Sequence, residues 1–188
     1  MNTEPFIIFL ARIVDLSTQM LGELKILLEE EQYKPHQIIH SAGQVENRLW
    51  FLQTGFARTY YFDQTGKEHT LSFYLENEII FSHKAYWKEP TDYYLEILMP
   101  TTLISLSYES LRNLEKYQET QTLIHIFNRQ RFYQDLFKSR LMTWTAEERY
   151  YQFRKSCPDI FKFASVRLIA SHLNMTRENL SRLMGREK

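Results

Sequence analysis

The chain has 188 residues, of which 44% are hydrophobic and 15% aromatic, enough apolar material for one large or two small packed domains, so intrinsic disorder is excluded. Lys plus Arg and Asp plus Glu both number 23, and a formal net charge of zero excludes an indiscriminate polyanion binder. Cys157 is the only cysteine, which excludes an intrachain disulfide framework, a cysteine-ligated iron-sulfur cluster and a C-x-x-C redox pair, and a reducing cytoplasmic setting is expected.

The opening MNTEPFIIFLARIV carries Glu4 where a secretory signal needs positive charge, and Arg12 follows its apolar run closely. No stretch reaches the roughly 20 apolar residues that span a bilayer, so no membrane partner is expected. Phe6, Phe9, Leu10, Ile13, Leu21, Leu24, Leu27 and Leu28 recur at helical spacing and predict a helix over 5–31. After Pro35 the period changes. Short β-branched and aromatic runs predict strands at 37–40, 49–53, 57–62, 68–74, 79–81, 93–98 and 103–107. Asp63-Gln64-Thr65-Gly66 is a hairpin connection, with Gly66 available for a positive φ. Many short strands at regular spacing predict a roll or barrel.

The helical period returns at Glu109, and 120–144 is the longest uninterrupted helical stretch. Ile126, Gln130, Tyr133, Phe137, Leu141 and Trp144 are spaced by three or four residues, close to a coiled-coil seam, while Leu123, Phe127, Phe132 and Leu136 widen the apolar surface. Either one stripe meets a partner helix, making a parallel homodimer through Ile126, Gln130, Tyr133, Phe137 and Leu141, or both stripes are buried within one subunit. Thr145 and Glu148 form a capping box that starts a new helix, which Pro158 ends, so a hinge is expected at 142–145.

The last segment, VRLIASHLNMTRENLSRLMGR, has the pattern of a helix-turn-helix. Val166, Ile169, Ala170 and Leu173 share one face of a first helix, and Leu180, Leu183 and Met184 share one face of a second. Asn174 sits at the corner, where a positive φ is often needed, and Thr176 is an N-cap that places Arg177, Glu178 and Asn179 in the first turn of the second helix. Such positions reach base edges: Arg177 and Arg182 suit guanine and Glu178 suits the cytosine amino group. The same spacing also fits an ordinary helical hairpin with a solvated charged face. From Trp144 onward nine Lys/Arg face five Asp/Glu, so the basic excess lies at this end.

The run T-R-E-N-L-S-R-L resembles the recognition-helix signature of the Crp/Fnr superfamily of bacterial transcription regulators, with Arg177, Glu178 and Arg182 matching its base-contacting residues. Upstream, YKPHQIIHSAGQVENRLWFLQTGFARTYYFDQTGKEHTLSFYLENE resembles that family's effector domain, with Gly43 and Gly55 at its expected turns. The arrangement TAEERYYQF…CPDIF…IASHLNMTRENLSRL is most similar to the family's short regulators from the Bacteroidetes group. The resemblance implies an α+β chain: an N-terminal β-roll (double-stranded β-helix or jelly roll) with flanking helices over 1–117, a long dimerisation helix over 118–143, and a helix-turn-helix domain over 144–188. It implies double-stranded DNA as partner, a homodimer reading a palindrome with recognition helices about 34 Å apart, and RNA polymerase as a further candidate partner. The DNA-contacting set is Thr176, Arg177, Glu178, Asn179, Ser181, Arg182 and Arg186, with Lys188 also available to phosphates. The sequence stops just after this helix, without the β-wing of larger relatives.

Cyclic-nucleotide domains of the resembled family hold the cyclic phosphate with an Arg and the ribose with a Glu. Here Thr91 or Asp92 stands near the Arg position, Asp92 would repel a phosphate, and Phe81-Ser82 occupy roughly the Gly-Glu place. An unknown small-molecule effector, apolar or zwitterionic, has candidate lining in Phe73, Phe81, Ser82, Tyr93 and Glu96, although those aromatics equally suit a plain core. His36, His40, His69 and His83 lack the H-x-H pair with a downstream Glu of jelly-roll metalloenzymes, and neither a phosphate loop nor a nucleophile elbow occurs, so no catalysis, metal or cofactor is expected. The other class of reading is a ligand- or protein-binding sensor module in which the helix-turn-helix is only structural. Calorimetric titration with cyclic AMP is expected to show no saturable binding at micromolar concentration; a saturating isotherm would overturn that reading of the missing Arg.

Overall fold

The computed structural model describes residues 2–186. Eight strands form two four-stranded antiparallel sheets: β1 (Glu29–Tyr33), β8 (Thr101–Ser107), β3 (Arg48–Thr54) and β6 (Glu78–Ile80) in one, and β2 (Ile38–His40), β7 (Tyr94–Ile97), β4 (Ala57–Phe62) and β5 (Glu68–Tyr74) in the other, each in that spatial order. Trp50, Leu52, Ala57, Tyr74, Ile80, Leu95, Ile97 and Leu103 fill the space between the sheets. Strand β3 alternates as the pleat requires, Trp50 and Leu52 facing inward while Leu49 and Phe51 face the helices on the other side.

Those helices are α1 (Glu4–Ala11), α2 (Thr18–Leu27), α4 (Tyr108–Asn113) and the first half of α5 (Gln118–Thr143). Phe6, Leu10, Met20, Leu24, Leu111, Leu123 and Phe127 pack on Phe51, Ile104 and Leu106. The single helix expected over 5–31 is two helices and a strand. Ser17 caps α2 by accepting from Met20 N, which breaks the helix, and residues 29–33 pair with β8 instead of continuing it. Strand β1 reads EEEQY, residues that favour helix locally. Arg48 engages Glu29 at 2.5 Å and Glu31 at 3.1 Å, Glu30 accepts from Asn2 N at 2.6 Å, and pairing with β8 overrides propensity. The other seven strands lie where expected, with ends moved by at most two residues.

The turn chemistry follows the sequence. Asp63 N donates to Lys67 O across the hairpin, and Gly66 has φ 79°. Gly55 stands at φ 110°, and a Cβ there would lie 2.7 Å from Pro100 O.

Helix α5 ends at Thr143, Trp144 is extended, and α6 (Ala146–Ser156) starts from the capping box, with Glu148 N donating to Thr145 Oγ1 and Thr145 N to Glu148 Oε2. After Pro158 come α7 (Ile160–Phe163), α8 (Val166–His172) and α9 (Arg177–Gly185). One apolar cluster joins these helices to the roll: Phe56 and Phe73 pack with Leu141, Tyr150, Phe153, Ile160, Ile169, Leu173, Leu180 and Leu183. The backbone breaks at 143–145, but the hydrophobic core continues across the break. Gly55→Ala is expected to cost about 1–3 kcal/mol from its disfavoured φ and the backbone clash, seen as a thermal midpoint lower by about 2–4 °C per kcal/mol; an unchanged midpoint would show that this corner is not constrained.

Candidate functional site

The C-terminal helix pair is built from its caps inward. Ser165 caps α8 by accepting from Leu168 N, and Thr176 caps α9 by accepting from Asn179 N at 3.2 Å. Between them Asn174 adopts φ 50°, the left-handed conformation the corner requires, and Met175 N returns to Ala170 O at 3.0 Å. Ile169, Ala170, Leu173, Leu180 and Leu183 are buried against Tyr150 and Phe153 of α6. The opposite face of α9 is therefore turned to solvent. Thr176, Arg177, Glu178, Ser181, Arg182 and Arg186 are all exposed, and Asn179 is half-buried.

Among the described residues, the side chains of Arg177 and Glu178 make no hydrogen bond or ion pair. Arg182 is steadied by Asn179, whose Oδ1 accepts from Nη2 at 2.8 Å, and Arg186 lies 3.6 Å from Glu147. Glu178 sits in the first turn, where a carboxylate favours the helix dipole. This end of α9 presents Arg177, the Arg182 guanidinium held by Asn179, a carboxylate and a hydroxyl on a rigid support. Lys188, assigned to phosphate contact, lies outside the described residues.

The five residues expected to line an effector pocket are not brought together. Phe73 faces the C-terminal helices, stacked on Phe56 and against His172. Phe81 belongs to the core under α5, touching Tyr108 and Phe127. Ser82 caps α3 (His83–Tyr86) and donates its own N–H to the Tyr108 hydroxyl. Glu96 points out of the roll, because Leu95 and Ile97 point in, and pairs with Arg58 at 2.7 Å. Of the five, Tyr93, with the Ser82 side chain beside it, joins the buried polar group that sequence reasoning missed.

That group contains Glu46, Tyr93, Tyr74, Ser72 and Arg131. Glu46 is 2% exposed; its Oε2 accepts from the Tyr93 hydroxyl at 2.6 Å, and its Oε1 is buried with no partner. Burial pushes the Glu46 carboxyl up to about 8, so it is largely protonated at neutral pH. From α5, Arg131 reaches in to the Tyr74 hydroxyl at 3.1 Å and Ser72 Oγ at 3.3 Å. No spacing in the sequence links Glu46 to Tyr93, 47 positions apart. Thr91 is buried and hydrogen-bonded to His40 at 2.6 Å, whereas Asp92 stays outside, 3.2 Å from Lys84. Neither offers a cation to a phosphate.

The dimerisation stripe on α5 divides. Tyr133 is exposed, as is neighbouring Phe132, and Gln130 is exposed while Ile126 and Phe137 are half-buried. These residues, Phe132 apart, line an open groove of about 630 Å³ together with Arg129, Gln134, Ser156 and Cys157. Leu141 corrects the expectation: it is fully buried in the C-terminal core of its own chain, because α6 to α9 fold back over the end of α5. Among the described residues no helix is long and apolar enough to cross a membrane, and no group of three or more His, Cys, Asp or Glu could hold a metal ion.

Residues 30–118 match the family model of the cyclic nucleotide-binding domain. No curated protein matches the sequence. Among solved structures, FixK2 from Bradyrhizobium japonicum is similar at 18% identity and a TM-score of 0.72, covering 85% of this chain and 83% of its own. A protein described as a Crp/Fnr-family transcriptional regulator from Eubacterium rectale is similar at 20% identity and a TM-score of 0.71, over 90% of this chain and 82% of its own. The c-di-GMP-responsive global regulator CLP from Xanthomonas campestris is similar at 14% identity and 0.69, over 90% and 91%. Residues 30–118 thus match the cyclic nucleotide-binding domain, and the chain shares the fold of these solved structures.

Proposed function

We propose that this chain is a homodimeric, sequence-specific, cytoplasmic transcription regulator of the Crp/Fnr type that reads a palindromic operator through α9. The observation that carries the reading is the division of labour on that helix. Leu180 and Leu183 anchor it, while Arg177, Glu178, Ser181 and Arg182 face solvent on its outer side and its first turn is capped. Side chains of these types at a helix N-terminus suit base edges and phosphates in the major groove. Thr176, Asn179 and Arg186 flank that surface and suit backbone contacts.

A second copy along α5 supplies the symmetry. The groove beside Ile126, Gln130, Tyr133 and Phe137, with Phe132 62% exposed next to it, is an unusually apolar surface for a helix facing solvent. Two parallel α5 helices would set two α9 helices one turn of DNA apart, about 34 Å. Cyclic AMP is not the effector in the usual way: neither Thr91 nor Asp92 offers a cation to a phosphate, and the interior of the roll is occupied by Glu46, Tyr93, Tyr74 and Arg131. Any effector is an unknown small molecule other than classical cyclic AMP, and RNA polymerase is the further partner expected of a regulator.

Selection of bound duplexes from a random DNA library at stated salt tests the proposal. Enrichment of a palindrome with half-sites one turn apart is the expected result; absence of enrichment would oppose DNA recognition by the unliganded protein. Replacing both Arg177 and Arg182 by Ala is expected to lower operator preference roughly 30-fold or more, at about 1–3 kcal/mol per lost base contact, with dimerisation and thermal midpoint unchanged. Specific binding that survives the double substitution would overturn the assignment of α9 as the reader and favour a sensor module with a merely structural helix pair.

A further inference from the structure

Strand β5 is the last strand of its sheet, so one side of its backbone has no strand partner. That edge is covered by the helix-turn-helix. Thr70 N donates to Ser171 Oγ at 2.9 Å, and the Ser171 hydroxyl donates to Glu68 O at 3.0 Å. Thr70 O accepts from Lys138 Nζ at 3.3 Å. Lys138 comes from α5 and also donates to the carbonyl of His172, the last residue of α8, where helix carbonyls lack intrahelical partners. One amine therefore bridges three elements: the sensor's edge strand, the long helix and the first helix of the DNA-binding pair.

The His172 ring completes the junction. It lies between Phe153, at 4.6 Å, and Phe73, at 5.4 Å, with Nδ1 3.1 Å from Lys138 Nζ and 3.3 Å from Thr70 O. Two basic nitrogens face each other across 3.1 Å. A single proton between them makes a hydrogen bond, whereas a proton on each sets N–H against N–H. Beside them lies a cavity of about 240 Å³ walled by Leu71, Phe73, Phe137 and Phe153.

We propose that Lys138 and His172 form a proton-released clamp, which holds the helix-turn-helix against the free edge of β5 and lets it go when both take up protons. The surroundings support this. Among the described residues Lys138 has no carboxylate within ion-pairing distance, and from α6 its charged neighbour is Arg149, another cation. From β5 the Glu68 carboxylate is held by Arg58 at 2.8 Å and by Arg167 of α8 at 3.2 Å. Glu78 of β6, Cys157 and Asp159 line the cavity, but burial keeps Glu78 toward its neutral form, and it raises the Cys157 thiol. Burial, with Arg149 nearby, pulls the Lys138 ammonium down to about 7, and burial together with Lys138 holds His172 well below the usual histidine range.

The sign follows from linkage. The docked pair binds fewer protons than a solvated pair, so docking tightens as pH rises above 7 through Lys138, and loosens below the ordinary histidine range as His172 is protonated in the released state. Each unit of displaced pKa corresponds to a tenfold change in equilibrium.

The test uses the full chain, isotopically labelled, and does not depend on DNA binding. The Lys138 Cε resonance is expected to titrate near 7. Protection of the Thr70 amide, corrected for the intrinsic exchange rate, is expected to rise by up to tenfold per pH unit between about 7.5 and 9.5, and to lose that slope in Lys138→Met. A Lys138 resonance titrating near its ordinary value, flat Thr70 protection in the natural chain, or an unaltered slope in the variant would each overturn the clamp. The first two readings use the unsubstituted protein, so they decide the matter even if Lys138→Met does not fold.

Discussion

Everything in this chain hangs on one helix being buried at both ends by different partners. Helix α5 spans 26 residues, about 39 Å at the rise of an α-helix. Its first turns insert Leu123, Ile124 and Phe127 into the core beneath the first sheet, and its last insert Leu141 among Tyr150, Phe153 and Ile169. A rigid rod anchored in two cores must move both if it moves at all. Its middle is apolar on the outside at Phe132 and Tyr133, and sends Arg131 into the roll. The roll, the exposed stripe and the C-terminal helix pair are thereby mechanically linked through ordinary side-chain packing.

The roll itself departs from a dry sandwich. A largely protonated carboxyl at Glu46, held by the Tyr93 hydroxyl, and an arginine resting on Tyr74 and Ser72 replace what would otherwise be apolar filling or a bound molecule. Buried groups of this kind are costly unless satisfied. Most of their atoms are satisfied, but Glu46 Oε1 is not. On the outer face of the second sheet, Arg58 is treated differently. It is buried yet fully engaged by Glu68, Glu96 and Thr70 and rests on the Tyr60 ring at 4.3 Å, tying β4, β5 and β7 together. The two sides of one sheet thus carry opposite chemistry: an under-satisfied polar interior and a closed ionic exterior, next to the edge that the helix-turn-helix covers.

Much of this was legible in advance because the signals were local. The capping box at Thr145 and Glu148, the positive φ at Asn174 and Gly66, the cap at Thr176 and seven of the eight strands involve groups within a few residues of one another, or a period of two that survives burial on one face. The exposed character of Arg177 and Arg182 follows from Leu180 and Leu183 sharing the other side of a short helix. The proposed effector set failed to converge for the opposite reason. Phe73 stands on β5 of the second sheet, Phe81 just after β6 of the first and Tyr93 just before β7, so the three end in different surroundings.

The sequence by itself determined element type, turn chemistry and which face of α9 is outward, since backbone sterics, capping and helical periodicity act over one or two turns. Tertiary structure alone decided that the helix-favouring run Glu29–Tyr33 is a strand, that Leu141 is buried in its own chain instead of on the α5 surface, and that Lys138 meets Thr70 and His172. Each depends on an edge or a cavity whose other half lies tens of residues away, where pairing an open backbone or burying an apolar side chain outweighs the fraction of a kcal/mol by which ordinary residues differ in helix propensity.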